Sequence, residues 1–118
     1  DAGSTWIEAN YDIPYHQNES GGTYNHYTRS LEAMYLADTG TSTGEKFCFV
    51  TTFYNPSQSS DYGTVSFNAT GVNAGAAGVH TQGGGAYKSA GDVDAFRIIF
   101  STGTVASGTF KLYGLSGS

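Results

Sequence analysis

The sequence predicts an all-β protein: an antiparallel two-sheet β-sandwich, jelly-roll-like, with seven to eight short strands. Three observations lead there. Gly 17, Tyr 9 and Phe 7 accompany abundant Thr, Ser and Val, and there is a single Met. Aromatic and β-branched side chains suit a pleated, half-buried surface, and Gly suits the tight connections between strands. Apolar and polar residues alternate with a period of two in several stretches, and turn residues separate these stretches at intervals of about ten residues, as in sandwiches and jelly rolls.

The length of 118 residues fits one domain over 1–118. A chain of this size folds to about 6,100 Å² of surface from about 18,000 Å² unfolded, which leaves enough buried for one continuous core. Neither a metal nor a disulfide is needed to complete it.

The elements follow in order. Trp6 and Ile7 suggest a short opening strand, and Asn10 to Gly22 reads as a polar loop with Asn18, Gly21 and Gly22 as turn residues. From Tyr27 to Leu36, Tyr27, Arg29, Leu31, Ala33 and Tyr35 alternate as in a strand. Leu31-Glu32-Ala33-Met34 are also good helix formers; the strand is preferred because every neighbour is β. Phe47 to Tyr54 is a dense aromatic and β-branched strand ended by the turn Asn55-Pro56-Ser57. Tyr62 to Ala69 places Val65 and Phe67 on one face, with Ser66 and Asn68 on the other. Gly71 to Gly91 is rich in Gly and Ala, with a weak strand around Gly78 to Gln82 and a flexible loop at Gly83-Gly84-Gly85. The clearest strand is Val93 to Phe100, broken by Ser101-Thr102-Gly103. Thr109 to Tyr113 follows through the short link Val105-Ala106-Ser107-Gly108, which predicts a closing antiparallel hairpin.

Charge excludes some functions. The net charge is −5, and the five basic residues (Arg29, Lys46, Lys88, Arg97, Lys111) are scattered, which argues against a nucleic-acid surface. No apolar run approaches the ~20 residues of a membrane span, nor is there a signal-peptide pattern. The first residue is Asp, so the chain is read as processed or truncated. Only 13% of residues are charged, about half the usual share. Uncharged polar surface is less costly to desolvate, which favours packing against copies of the same chain. Cys48 is the single cysteine, and its apolar run predicts a buried, inert thiol.

No pattern marks a reaction or a cofactor. His16, His26 and His80 are far apart in sequence, without metal-ligand spacing, and read as surface or loop residues; no metal site is expected. Asp92 and Asp94 flank Val93 as a loop end and a strand-edge charge, and Asp12, Glu19 and Glu32 form no recognisable acid–base pair. There is no Gly-x-Ser-x-Gly nucleophile elbow, and Gly83-Gly84-Gly85 lacks the Lys-Ser/Thr of a phosphate loop. Asn18-Glu19-Ser20 and Asn68-Ala69-Thr70 match the glycosylation sequon, as chance matches do in a chain rich in these residues. Tyr11, Tyr15, Tyr24 and Tyr27 cluster with Trp6 among Asn, Gln and His. Rings beside amides suit sugar stacking, and Tyr and Trp are equally enriched at subunit interfaces; interface is preferred.

The stretch Asp94-Ala95-Phe96-Arg97-Ile98-Ile99-Phe100-Ser101-Thr102-Gly103, followed by Val105-Ala106-Ser107-Gly108-Thr109-Phe110-Lys111-Leu112-Tyr113-Gly114-Leu115, resembles the closing segment of small β-sandwich domains from tailed-phage virion proteins. Those domains commonly end in an aromatic-rich strand, an Ala-Ser-Gly-Thr hairpin and Leu-Tyr-Gly-Leu or Leu-Tyr-Gly-Ile. Tyr54-Asn55-Pro56-Ser57 is similar to their Asn-Pro turn, and Gly85-Ala86-Tyr87 to their Gly-x-Tyr. The likeness covers about the last 70 residues; in the first third only Tyr24-Asn25-His26-Tyr27 has a counterpart.

The resemblance implies a non-enzymatic virion protein of the phage particle, without cofactor. It would be a homotrimeric tail-fibre or receptor-binding module, or a capsid decoration (cement) protein on the head. Its partners would be its own copies, other virion proteins and a host-surface glycan. The alternative to the surface reading of the histidines arises only in a trimer, where His26 or His80 near the axis would occur three times and could bind a metal from three chains; the surface reading is preferred. In physical terms, Gly103 and Gly108 bracket the expected hairpin where φ is positive, and Gly114 ends the last strand. A free carbohydrate-binding module is the third possibility; it explains the tyrosines but not the C-terminal hairpin.

Overall fold

The computed structural model describes residues 11–22, 24–31 (as backbone), 39–56, 59–93, 95–100 and 105–115, and these are all-β, with no helix among them. Five strands form one antiparallel sheet: β1 (Tyr11–Glu19), β2 (Tyr24–Leu31), β3 (Phe47–Tyr54), β4 (Gly63–Val72) and β5 (Gly78–Tyr87). Their order is β2-β1-β5-β4-β3. Strands β3, β4 and β5 form a meander of consecutive hairpins, and the β1–β2 hairpin is joined to it by pairing β1 with β5.

Strand β3 has the predicted bounds, and β4 contains most of the predicted Tyr62 to Ala69, running on to Val72. Val65, Phe67 and Ala69 are buried, whereas Thr64, Asn68 and Thr70 are exposed, as the alternation requires. Asn55, at φ 48°, takes the left-handed conformation that Asn tolerates in turns and ends β3. Between β4 and β5, the Asn73 carboxamide oxygen accepts from the amides of Gly75 (3.0 Å) and Ala77 (3.1 Å), fixing the hairpin turn. Strand β2 carries the preferred strand reading of 27–36 as far as Leu31; residues 32–36, Trp6 and Ile7 lie outside the described residues.

Two expected loops are strands. Tyr11–Glu19 is an inner strand, not part of a polar loop, with Ile13, Tyr15 and Gln17 buried and Pro14 and Asn18 exposed. Its polar outward positions and Pro14 mask the period. Proline has no N–H for a ladder: the β1–β5 pairs skip Ile13 and Pro14 between Asp12↔Ala86 and Tyr15↔Gly83, in unchanged register. Only Gly21 and Gly22, at φ 108° and 89°, make the turn that was expected around them.

The second correction concerns Gly83-Gly84-Gly85, which lie within β5 instead of a flexible loop. Their smallness serves contact. A Cβ on Gly83 would stand 2.6 Å from both the Pro14 carbonyl oxygen and the Tyr15 Cβ. Glycine lets β1 and its large Tyr15 ring close against β5.

The strands expected at Val93 to Phe100 and Thr109 to Tyr113 do not form among the described residues. No hairpin closes through Val105 to Gly108, and φ is not positive at Gly108 or Gly114; Gly103 lies outside the described residues. Alternation records fitness for a pleated surface, but a strand also needs a neighbouring backbone to take its N–H and C=O groups. Here the segment instead lies against the β3 side of the sheet. Phe96 meets Phe53 at 4.9 Å, Phe110 meets Phe49 at 6.3 Å between ring centroids, and the Val93 amide donates to the Pro56 carbonyl at 2.8 Å.

The core follows from the register. Tyr15, Gly83, Phe67 and Thr51 form one row across four strands, and Gln17, Thr81, Ala69 and Phe49 form the next. Ile13, Tyr15, Val65, Phe67, Ala69 and Val79 are buried on this inner face, each large apolar side chain contributing about 1.5–3 kcal/mol. Gln17 and Thr81 are buried with them. Gln17 donates to the Glu19 carboxylate at 3.2 Å, whereas the Thr81 hydroxyl has no partner among the described residues.

Candidate functional site

Alternation sends every second residue of the sheet to the outer face. From β1 come Asp12, Pro14, His16 and Asn18; from β5 His80, Gln82, Gly84 and Ala86; from β4 Thr64, Ser66, Asn68 and Thr70. These side chains are short, polar and mostly uncharged. The ion pair on this face, Lys88 Nζ to Asp12 Oδ2 at 2.9 Å, is nearly half exposed at both ends, so water screens it. Tyr54 and Ser66 share a hydrogen bond at 3.0 Å between β3 and β4. The result is an open grid of amides, hydroxyls and imidazoles, which can exchange hydrogen bonds with a hydroxylated or polar partner.

The edge strand β3 adds Val50, 72% exposed, and Cys48 to that face. Cys48 is thus exposed rather than buried. It alternates with Phe47 and Phe49, which turn inward, so its apolar neighbours in sequence are not its neighbours in space. Beside it lies a shallow depression of about 390 Å³, bounded by Lys46, Phe47, Thr70 and Val72.

A second surface is apolar. Phe96, Ile99, Val105 and Phe110 are exposed, and beyond them Leu112 and Tyr113 reach 75% and Leu115 92%. Exposed large apolar side chains mark interaction surfaces where they join into one patch.

The tyrosines part company. Tyr15 is in the core. Tyr11 stands half-buried at the end of the inner face, its ring 5.4 Å from that of Tyr87. Burial pushes the Tyr11 hydroxyl above its ordinary value of 10.0; Tyr87 adds to the shift, and Arg97 opposes it. Tyr24 and Tyr27 occupy β2, paired with Asn18 and Tyr15, while Trp6 lies outside the described residues. Asp92 is exposed, and Asp94 also lies outside the described residues.

The outer-face grid is not legible in the sequence, because its β1 half reads as a polar loop and its β5 half as a weak strand followed by a loop. The period-two pattern Ile13, Tyr15, Gln17 was the available signal. Among the described residues, no group of three or more His, Cys, Asp or Glu is placed to hold a metal. Comparison of the chain with protein-family models, curated proteins and solved structures finds no match.

Proposed function

We propose that this chain is a non-enzymatic assembly module of a phage virion, a homotrimeric tail-fibre or receptor-binding domain contacting the host surface. The observation that carries the reading is the run of exposed apolar side chains from Phe96 to Leu115. These residues have the alternation of strands and no ladder partner among the described residues. A second and a third copy are the occupants proposed. Pairing between copies would give the segment its missing hydrogen bonds and build the second sheet of a jelly-roll-like sandwich over the first.

The low charge content lessens the cost of desolvating such contacts. The likeness of residues 94–115 to the closing segment of tailed-phage virion domains supplies the setting. A capsid decoration protein would use the same self-association, with empty capsids as its ligand in place of host cells.

A carbohydrate-binding module is the second reading, favoured by the outer grid of Asn18, Gln82, Asn68 and Thr70, all exposed. Light scattering on the purified protein separates the classes. A mass three times that of the chain is expected, and a monomer at high micromolar concentration would overturn the assembly reading and leave the sugar reading to be tested on a glycan array.

A further inference from the structure

The outer edge of β3 carries no strand among the described residues. The register with β4 tells which backbone groups that edge offers. The Val72 amide donates to the Lys46 carbonyl at 3.0 Å, which makes Lys46 and Val72 a hydrogen-bonded pair. Every second pair after it, from Cys48↔Thr70 to Tyr54↔Thr64, is another. The N–H and C=O groups of Phe47, Phe49, Thr51 and Phe53 therefore point away from β4, toward the open side. Such an edge is a template for strand addition.

The segment after β5 matches that edge. The Val93 amide meets the Pro56 carbonyl, and the Phe96 ring meets Phe53. From Val93 to Phe96 and from Pro56 to Phe53 the two contacts advance equally in opposite directions, so they share one antiparallel register. Continued along β3, this register sets Phe96, Ile98 and Phe100 opposite Phe53, Thr51 and Phe49, joining aromatic to aromatic on the inner face. On the outer face it lays Ile99, 56% exposed, against Val50, 72% exposed.

Within one chain the segment does not take this place. A Cβ on Gly63 of β4 would stand 3.9 Å from Val93 Cγ2, so the segment enters over β4. The charge of Arg97 acts on Tyr11 of β1, two strands further in. The segment thus leans over the inner face of its own sheet instead of lying in the plane beside β3. Residues 88–92 join it to β5, and a Cβ on Gly91 among them would meet nothing within 4 Å. Swung outward about that link, the segment can reach the edge of another copy.

We propose that copies of this chain exchange residues 95–100, each adding them as an antiparallel strand to the outer edge of β3 in the next copy. The inference rests on the assembly reading above and adds to it the donor, the acceptor and the register. It leaves residues 105–115 for the second layer. Exchange reuses side-chain contacts that a single chain already makes, and it supplies the ladder bonds that the single chain lacks. Donor and acceptor are different surfaces, so the contact runs head to tail, which closes into a ring where the rotation permits.

Val50→Cys combined with Ile99→Cys, in a Cys48→Ser background, tests the register in the full chain. On the open side Val50 is a non-hydrogen-bonded position, where opposed Cα atoms stand about 4.5 Å apart, within reach of a disulfide. Oxidation by glutathione disulfide should link copies into covalent oligomers on a non-reducing gel. A link confined to one chain, seen as a monomer band without free thiols, would overturn the exchange. A threefold mass in light scattering without any cross-link would also overturn it and leave the assembly reading standing. A monomer at high micromolar concentration would overturn both. Thr51→Pro is an independent test: it removes an outward N–H and no bond to β4, a place where edge strands tolerate proline. The β signal in circular dichroism should persist while self-association weakens at least about tenfold. Undiminished association of this variant would overturn the proposal.

Discussion

The sheet and the C-terminal segment contain the same kind of sequence and come to different ends. Phe47–Tyr54 and Val93 to Phe100 are both aromatic, β-branched and alternating. The first is a strand with eight residues paired to β4; the second lies along the sheet with Phe96 on Phe53 and no ladder. What differs is whether a backbone partner is used. Alternation specifies which face a residue prefers, and hydrogen bonds from a second edge decide whether a strand exists. Strand β3 takes such an edge from β4, whereas the described residues of the segment pair with no strand, although β3's outer edge carries no strand among the described residues.

Three substitutions break or sharpen this contrast. Gly83→Val has the largest expected effect, because even a Cβ there collides with Pro14 and Tyr15. It should lower sheet stability by about 3 kcal/mol, at the upper end of overpacking costs. An unchanged urea midpoint would show that β1 and β5 need no such close approach. Thr81→Val acts in the opposite direction. Its hydroxyl is fully buried and unpartnered among the described residues, so its removal at constant shape should stabilise the sheet by about 1 kcal/mol, read as a higher urea midpoint. A loss instead would reveal a hydrogen bond at Thr81. Leu112→Ser should leave the urea midpoint of dilute, monomeric protein within about 0.5 kcal/mol, while lowering the mass seen by light scattering at high concentration. A large loss of monomer stability would place Leu112 in the core and dissolve the contrast.

Legibility in the sequence tracked the density of apolar residues. Phe47–Tyr54 and Val65/Phe67 were readable because consecutive large side chains left one period to choose. Strand β1 was hidden, since Tyr11, Asp12, His16, Gln17 and Asn18 read as polar loop and Pro14 as a breaker. Its burial depends on partners from β5, far away in the chain. Gly83 was misread because a glycine chosen for close approach looks the same in sequence as one chosen for freedom. Cys48 shows that neighbours in sequence do not report the face. The outer grid exists only through register, and the period-two pattern of Ile13, Tyr15 and Gln17 is its one trace in residue spacing.

The pairing of β1 with β5 also has a consequence in time. The β3–β4–β5 meander joins residues close in sequence, as does the β1–β2 hairpin, whereas Tyr11 meets Tyr87 and Glu19 meets Val79. Long-range closure is slow to find and is rewarded only once the receiving surface is built. The topology predicts that the meander forms early and the first hairpin docks last. Truncating Ile13, buried in β1, should then speed unfolding far more than it slows refolding. During synthesis the β1–β2 hairpin emerges before β5 and waits for it, so the nascent chain carries an unfinished seam until Gly78–Tyr87 has been made.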